Sequence, residues 1–157
     1  MFYDNFKFMK YCYSLFLGVL LASCQLEKNG FNDADNALNK WAEAYFNFDY
    51  KEAMGYMTPE SAKWIRFAAS NITEKDVEFI RSQNQETVIH ITDRQDIVND
   101  TLYNATIHVS NFIQLGIGEG NNQMIDEADF DIQMVKRDGE WLVRMEGLPR
   151  SGKQSRD

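Results

Sequence analysis

Few residues in this 157-residue chain could do chemistry, and they lie far apart in the sequence. Cys24 follows an apolar run and two small residues, which makes its thiol a candidate for covalent modification. The two histidines, His90 and His108, are candidates for acid–base work or for binding zinc. An acidic group of residues is a candidate for binding calcium through its carboxylates. This group consists of Asp126, Glu127, Asp129 and Asp131.

The segment before Cys24 has the build of a secretory signal peptide. Lys7 and Lys10 precede an uncharged apolar run that ends in small residues. The last residues of the segment, Leu21-Ala22-Ser23-Cys24, resemble the lipobox of bacterial lipoprotein precursors. That resemblance implies cleavage before Cys24 and attachment of acyl chains, such as palmitate, to the new N-terminal cysteine. Two or three chains are needed, because a single acyl chain binds a membrane only marginally.

Two other interpretations of Cys24 are open. The uncharged segment from Tyr11 to Leu26 could be a retained anchor, although it is shorter than the about 20 residues that a spanning helix needs. A disulfide would need Cys12 as its partner. Cys12 lies in the segment that the signal-peptide interpretation removes, so the mature chain would have no cysteine left to pair.

The lipobox interpretation divides the start of the chain into a signal peptide, residues 1–23, and a lipidated tether, residues 24–32. A single globular domain, residues 33–149, and a flexible tail, residues 150–157, complete the chain. The composition, 44% hydrophobic and 25% charged, is typical of a globular protein. By analogy with enterobacterial lipoproteins, Gln25 after the modified cysteine predicts delivery to the outer membrane of a bacterial cell envelope.

The charge balance argues against nucleic acid as a partner. The formal net charge is −8, whereas binding to phosphate backbones needs clustered lysines and arginines. The one local excess of basic residues lies in the tail and consists of Arg150, Lys153 and Arg156.

The first half of the domain has the residue spacing of amphipathic helices. Apolar side chains recur three and four positions apart, which places them on one face of a helix. They are Ala34, Ala37, Leu38, Trp41, Ala42 and Tyr45. Asp33 could cap this helix, and Thr58-Pro59-Glu60 and Thr73-Glu74-Lys75-Asp76 predict the starts of two further helices. Their hydroxyl groups and first-turn acids can accept the free N–H groups at a helix start.

From Glu86 onward the period of the apolar residues changes to two, which is typical of strands. The predicted strands cover Thr87–Thr92, Thr101–Leu115, Gln123–Lys136 and the stretch after Asp138-Gly139. Asp-Gly between two alternating runs predicts a tight hairpin. Helices followed by about four antiparallel strands predict an α+β domain, with the helices packed on the concave face of a curved sheet.

In this order and periodicity the domain resembles the nuclear transport factor two-like (cystatin-like cone) superfamily, in particular its small bacterial lipoproteins of unknown function. The resemblance is carried by the helix with Trp41 and Tyr45, by Phe48–Ser61 (FDYKEAMGYMTPES) and by Val135–Gly147 (VKRDGEWLVRMEG). It implies a cone with a cavity between the sheet and the first helix. It also implies homodimers that pair through the outer faces of their sheets. Enzymes that share this layout, such as ketosteroid isomerases, place an Asp, His or Tyr inside the cone.

Strand alternation predicts which side chains reach such a cavity, because successive residues of a strand point to opposite faces. The predicted inward residues are Ile89, Ile91, Tyr103, Ala105, Ile107, Val109, Phe130 and Ile132. The residues predicted to face outward are His90, His108, Asp129 and Asp131. We therefore predict no catalytic residue. The candidates for lining a ligand pocket are Trp41, Tyr45, Tyr103 and Phe130.

No metal site and no cofactor are predicted. A zinc site would need further ligands beside the histidines, and the acidic run lacks the central glycine of a calcium loop. The glycines of Gly116-Ile117-Gly118-Glu119-Gly120 are not followed by the lysine of a phosphate-binding loop. Asp100-Thr101-Leu102 resembles the O-glycosylation signal of Bacteroidota envelope proteins, which implies a modification at Thr101.

The leading interpretation is a non-catalytic, lipid-anchored envelope lipoprotein whose domain binds a small apolar ligand or a protein partner. One alternative is a small isomerase- or hydratase-like enzyme that works from the same cavity, and another is a structural dimerisation module. An ionisable side chain buried in the cavity with a strongly shifted pKa would favour the enzyme. An open apolar pocket with one or two hydroxyl groups would favour binding.

Overall fold

The computed structural model describes residues 32–98, 100–116 and 121–151, with the backbone alone at positions 96 and 97. Several predictions of the sequence concern residues outside these ranges. They are the signal peptide, the tether with Cys24, the glycines at 118 and 120, and most of the tail.

Helices come first along the described chain and an antiparallel sheet follows, so the domain is α+β, as the sequence predicts. The described part of the first helix, α1, covers residues 32–46. The helices that follow are α2 (Tyr50–Ala53), which continues into a 3-10 turn (Met54–Tyr56), α3 (Ala62–Ser70) and α4 (Glu74–Arg81). The described strands are β1 (Val88–Val98), β2 (Leu102–Gln114), β3 (Gln123–Arg137) and β4 (Glu140–Arg144), and they neighbour one another in that order.

The hydrophobic core lies between the helices and one face of this sheet. The helices contribute fully buried side chains such as Leu38, Trp41 and Ile65. The sheet contributes every second residue of β2 from Tyr103 to Val109. The predicted alternation is therefore confirmed for the middle of the sheet, where the opposite face carries polar side chains.

Two of the predicted local signals are confirmed. Thr73 begins α4 with a reciprocal cap, since the Asp76 amide donates to its Oγ1 and the Asp76 carboxylate accepts from the Thr73 amide. The hairpin between β3 and β4 turns at Asp138 and Gly139, both of which have positive φ (52° and 88°). Such a turn follows the right-handed twist of the strands that it connects.

The predicted helix start at Thr58 is wrong, because α3 begins only at Ala62. Thr58 instead fastens the chain to the edge of the sheet: its amide donates to the Val143 carbonyl over 2.9 Å. Its hydroxyl lies 2.7 Å from the Ser61 hydroxyl, and the Met145 amide donates to Ser61 Oγ over 2.8 Å. The turn from Thr58 to Ser61 thus covers the edge of β4, a contact that local sequence cannot indicate.

The first strand is longer than the predicted range of Thr87–Thr92. β1 continues to Val98 with an irregularity between Ile91 and Asp93, and its last residue pairs with Leu102. The extension lacks the apolar alternation of a half-buried strand. It forms because β2 offers a partner along its whole length, so tertiary pairing overrides weak local preference.

Candidate functional site

A half-open cavity of about 210 Å³ lies where the ends of α1, α3 and β2 meet the C-terminal segment. Its lining is mainly apolar and aromatic. The aromatic side chains that line it are Tyr45, Phe46, Phe48, Tyr50, Phe112 and Phe130. The aliphatic ones come from the end of α3, from the end of β2 and from residues 148–149. The cavity is smaller than a pocket for a drug-sized ligand, for which about 300–1,000 Å³ is typical.

Three phenylalanines from three different elements form one wall of the cavity. The ring of Phe46 lies 5.5 Å from that of Phe112 and 5.0 Å from that of Phe130, and the last two rings lie 5.6 Å apart. The rings are tilted or edge-to-face, the arrangement in which aromatic quadrupoles attract. Each of the three side chains is at least 94% buried, so the wall is firmly packed from behind.

Two tyrosines and a fourth phenylalanine, Phe48, also line the cavity. Tyr50 lies 5.8 Å from Tyr45 and 6.0 Å from Phe48, measured between ring centroids. Burial raises the pKa of Tyr45 far above its ordinary value, and the nearby Tyr50 raises it further. Burial also raises the pKa of Tyr50, to about 12. Both hydroxyl groups therefore stay protonated at neutral pH and can donate hydrogen bonds into the cavity.

Backbone strain occurs at two positions beside the cavity. Phe48 has a φ of 64° and Asn111 a φ of 56°, which is rare for a side chain as bulky as phenylalanine. At Asn111 the alternation of β2 changes: Val109 is buried, and the next buried residue is Phe112. The Asn111 carbonyl leaves the strand ladder and accepts from Gln83 Nε2 (2.8 Å). The kink thereby turns Phe112 toward the cavity.

A cluster of hydrogen-bonded polar groups stabilises the side of the cavity that the start of α4 forms. Asn122 Nδ2 donates to Asp76 Oδ1 (2.6 Å), and its own Oδ1 accepts from the Gly116 amide (3.1 Å). The other Asp76 oxygen accepts from the amide and hydroxyl of Thr73 (2.7 and 2.8 Å). The hydrogen bond from Asn122, and next those from Thr73, lower the pKa of Asp76. This carboxylate is ionised at neutral pH and committed to structural contacts.

The C-terminal segment supplies the cation of the cavity. Ser151 forms an antiparallel bridge with Phe130 of β3, and the chain before it lines the cavity from Leu148 to Arg150. The described fold thus extends beyond 149, the predicted end of the domain. Arg150 is exposed at the mouth, between the cavity and a more open groove of about 480 Å³ along β3 and β4.

Two of the four predicted pocket residues, Tyr45 and Phe130, line this cavity. Trp41 and Tyr103 do not, because both are packed into the core and are at most 1% exposed. Trp41 stacks on Tyr45 from behind (5.0 Å), and Tyr103 contacts the ring of Trp141 edge-to-face (5.2 Å). Trp41 therefore supports the cavity through Tyr45.

Sequence reasoning did not predict most of the lining, and four of the missed residues matter to the site. They are Phe48, Tyr50, Phe112 and Arg150. The signal for Phe112 was the asparagine before it, since asparagine tolerates positive φ better than most residues. The sequence contained no comparable signal for Arg150.

The two histidines lie away from the cavity, on the opposite face of the sheet, as predicted, and so do Asp129 and Asp131 of β3. His108 Nδ1 lies 2.7 Å from Asp129 Oδ1, and its Nε2 lies 3.6 Å from Glu127 Oε2. Thr106 donates to Asp131 on the same face (2.8 Å). Within the described ranges, no group of three or more potential ligands is arranged to hold a metal ion.

Thr101, the predicted glycosylation site, lies exposed in the turn between β1 and β2. Its hydroxyl donates to the Val98 carbonyl over 3.0 Å. Among the helices in the described ranges, none is both long and apolar enough to cross a membrane.

Comparisons with known proteins do not identify the chain. No protein-family model matches it, and a search of curated proteins finds no match.

Proposed function

We propose that this protein is a lipid-anchored lipoprotein of the bacterial outer membrane and that its domain binds a small apolar ligand in the aromatic cavity. The half-open cavity beside Phe46, Phe112 and Phe130 is the observation that carries the proposal. Apolar walls with a few polar groups at the mouth are typical of small-molecule sites. The anchor rests on the lipobox resemblance at Cys24, and the helix-first α+β order fits a domain of the nuclear transport factor two-like type.

Backbone strain beside the cavity supports a binding role. Strained residues persist where the surrounding structure imposes them, and they are common at functional sites. Two of the four described non-glycine residues with positive φ, Asp100 and Asp138, lie in hairpin turns. The other two, Phe48 and Asn111, flank the cavity. A straight strand at Asn111 would direct Phe112 away from the cavity, and an ordinary helix end at Phe48 would direct the Phe48 side chain away from it.

The ionisable groups of the cavity favour binding over proton transfer. A general acid or base works best with a pKa near the operating pH. The pKa values of Tyr45 and Tyr50 are raised away from neutrality, and that of Asp76 is lowered away from it. The opposite face of the sheet carries carboxylates and hydrogen-bonded polar side chains, which suits contact with water better than a large apolar interface.

Filling the cavity tests the proposal. Ala68 lines the cavity from α3, whereas the next residue, Ala69, is exposed. We expect Ala68→Leu to weaken the binding of fluorobenzene, followed by fluorine NMR, by about tenfold or more, since added methylenes occupy the space that the ligand needs. Ala69→Leu is the matched control and leaves binding unchanged. Equal binding by both variants, or none by the unaltered protein, would exclude a ligand site here.

A further inference from the structure

We infer that the ligand of this cavity is a small carboxylic acid with an aromatic or branched apolar body, and that Arg150 at the mouth pairs with its carboxylate. The inference rests on the proposed function and deepens it. It follows from the hydrogen-bonding inventory, the charge and the volume of the cavity.

The cavity offers several hydrogen-bond donors to a ligand, beside the amides of Asn71 and Gln114 and the hydroxyl of Ser151, which can also accept. The two oxygens of Asp76 are already engaged by Asn122 and Thr73. Within the described part of the chain, the side chains of Tyr45, Tyr50 and Arg150 make no hydrogen bond or ion pair, although all three residues line the cavity. Protonated phenols and a guanidinium complement a group that accepts several hydrogen bonds, as a carboxylate does.

Two charged side chains line the cavity and differ in their partners: the Asp76 carboxylate is engaged by Asn122 and Thr73, whereas the Arg150 guanidinium is exposed at the mouth. The net charge of −8 disfavours the approach of anions in general. Arg150 is the one basic side chain among the described residues that line the cavity. An arginine at the mouth, with apolar walls behind it, matches a ligand whose charge lies at one end.

The volume limits the size of the acid. A cavity of about 150 Å³ is known to accommodate one benzene ring. The 210 Å³ found here leaves room for one ring or a branched chain together with a short carboxylate group. Long acyl chains and steroids exceed this space.

Two probes of the same shape test the inference: 4-fluorophenylacetate and its neutral amide, 4-fluorophenylacetamide. Binding of each is measured by fluorine NMR to the full-length protein in lipid nanodiscs, with empty nanodiscs as the blank. We expect the acid to bind about fivefold more tightly than the amide, which is the contribution of a partly exposed ion pair. We expect Arg150→Gln to remove this preference and to leave amide binding unchanged. Arg150→Lys should retain part of the preference, since it keeps the charge.

Arg144→Gln is the matched control, because it removes the same charge from a neighbouring arginine that does not line the cavity. It should leave the preference for the acid intact. Equal binding of both probes to the unaltered protein would overturn the inference while the proposed function stands. Binding of neither probe would overturn the inference, and it would overturn the proposed function as well if fluorobenzene also failed to bind. Equal weakening of both probes by Arg150→Gln would show that Arg150 only shapes the cavity, and would also overturn the inference.

Discussion

Asn122 links two distant parts of the chain: its Nδ2 donates over 2.6 Å to Asp76 Oδ1 at the start of α4, and its Oδ1 accepts from the Gly116 amide. The link joins the beginning of α4 to the chain that leaves β2 and to the chain that enters β3. Because Asp76 and Gly116 both line the cavity, this one side chain holds two of its walls together.

The Asp76 cluster predicts a stability that declines in acid. The hydrogen bonds lower the pKa of Asp76 in the folded state, so their stabilising contribution is complete above the unfolded pKa of about 3.9. It is lost as the pH falls through the lower folded value. We expect the urea concentration at the midpoint of unfolding to fall less between pH 5 and pH 2 in Asp76→Asn than in the unaltered protein. Asp126→Asn, which removes an exposed carboxylate without hydrogen bonds in the described chain, should leave that loss unchanged. An equal loss in Asp76→Asn and the unaltered protein would contradict the prediction.

The left-handed conformation of Asn111 predicts that two substitutions differ in their effect on stability. Glycine adopts a φ of 56° without strain, so Asn111→Gly should change the free energy of unfolding by about 0.5 kcal/mol or less. Valine is β-branched and should destabilise the protein by about 1–3 kcal/mol. Chemical denaturation measures both values. Asn111→Val should also weaken fluorobenzene binding, since it displaces Phe112. A stable Asn111→Val variant with normal binding would show that the kink is not needed.

Two arginine–carboxylate ion pairs differ in burial, which predicts that their contributions to stability also differ. Arg94 donates from Nε and Nη2 to both oxygens of Asp35 (2.7 Å each) and joins β1 to α1. Arg137 donates from Nη1 alone to both oxygens of Glu60 (2.8 and 2.9 Å). The Glu60 side chain is 66% exposed, against 22% for Asp35. We expect Asp35→Asn to cost about 1 kcal/mol and Glu60→Gln to cost less, because solvent screens the more exposed pair. Thermal unfolding at low and high salt measures both, and a larger effect at Glu60 would refute the argument.

The lipobox-like segment that ends at Cys24 predicts how the protein partitions between membrane and solution. We expect the unaltered protein to remain with membranes through high-salt and carbonate washes, because two or three acyl chains on Cys24 would hold it there. Cys24→Ser should abolish labelling by an alkyne analogue of palmitate and release the protein from washed membranes. Cys12→Ser is the control and should retain both properties. Membrane retention of unlabelled Cys24→Ser would favour the uncleaved anchor.

Local sequence patterns were sufficient to predict which segments form helices and which form strands, and which face of the central strands is buried. Phe130 points inward and Asp129 outward because the pleat of a strand alternates, whatever its partners are. Thr73 caps α4, and Asp138-Gly139 turns the last hairpin, since the groups that satisfy each conformation lie within three residues of one another. These features, and the α+β class that follows from their order, were determined by the sequence alone.

The cavity was decided only by the tertiary structure. Phe46, Phe112 and Phe130 are far apart in the chain and meet through strand register and the kink at Asn111. Arg150 reaches the mouth because Ser151 pairs with β3, and Trp41 and Tyr103 are excluded because neighbouring elements enclose them. Periodicity shows which face of an element is apolar, but the space between two apolar faces depends on how they pack, and packing is a property of contacts distant in sequence.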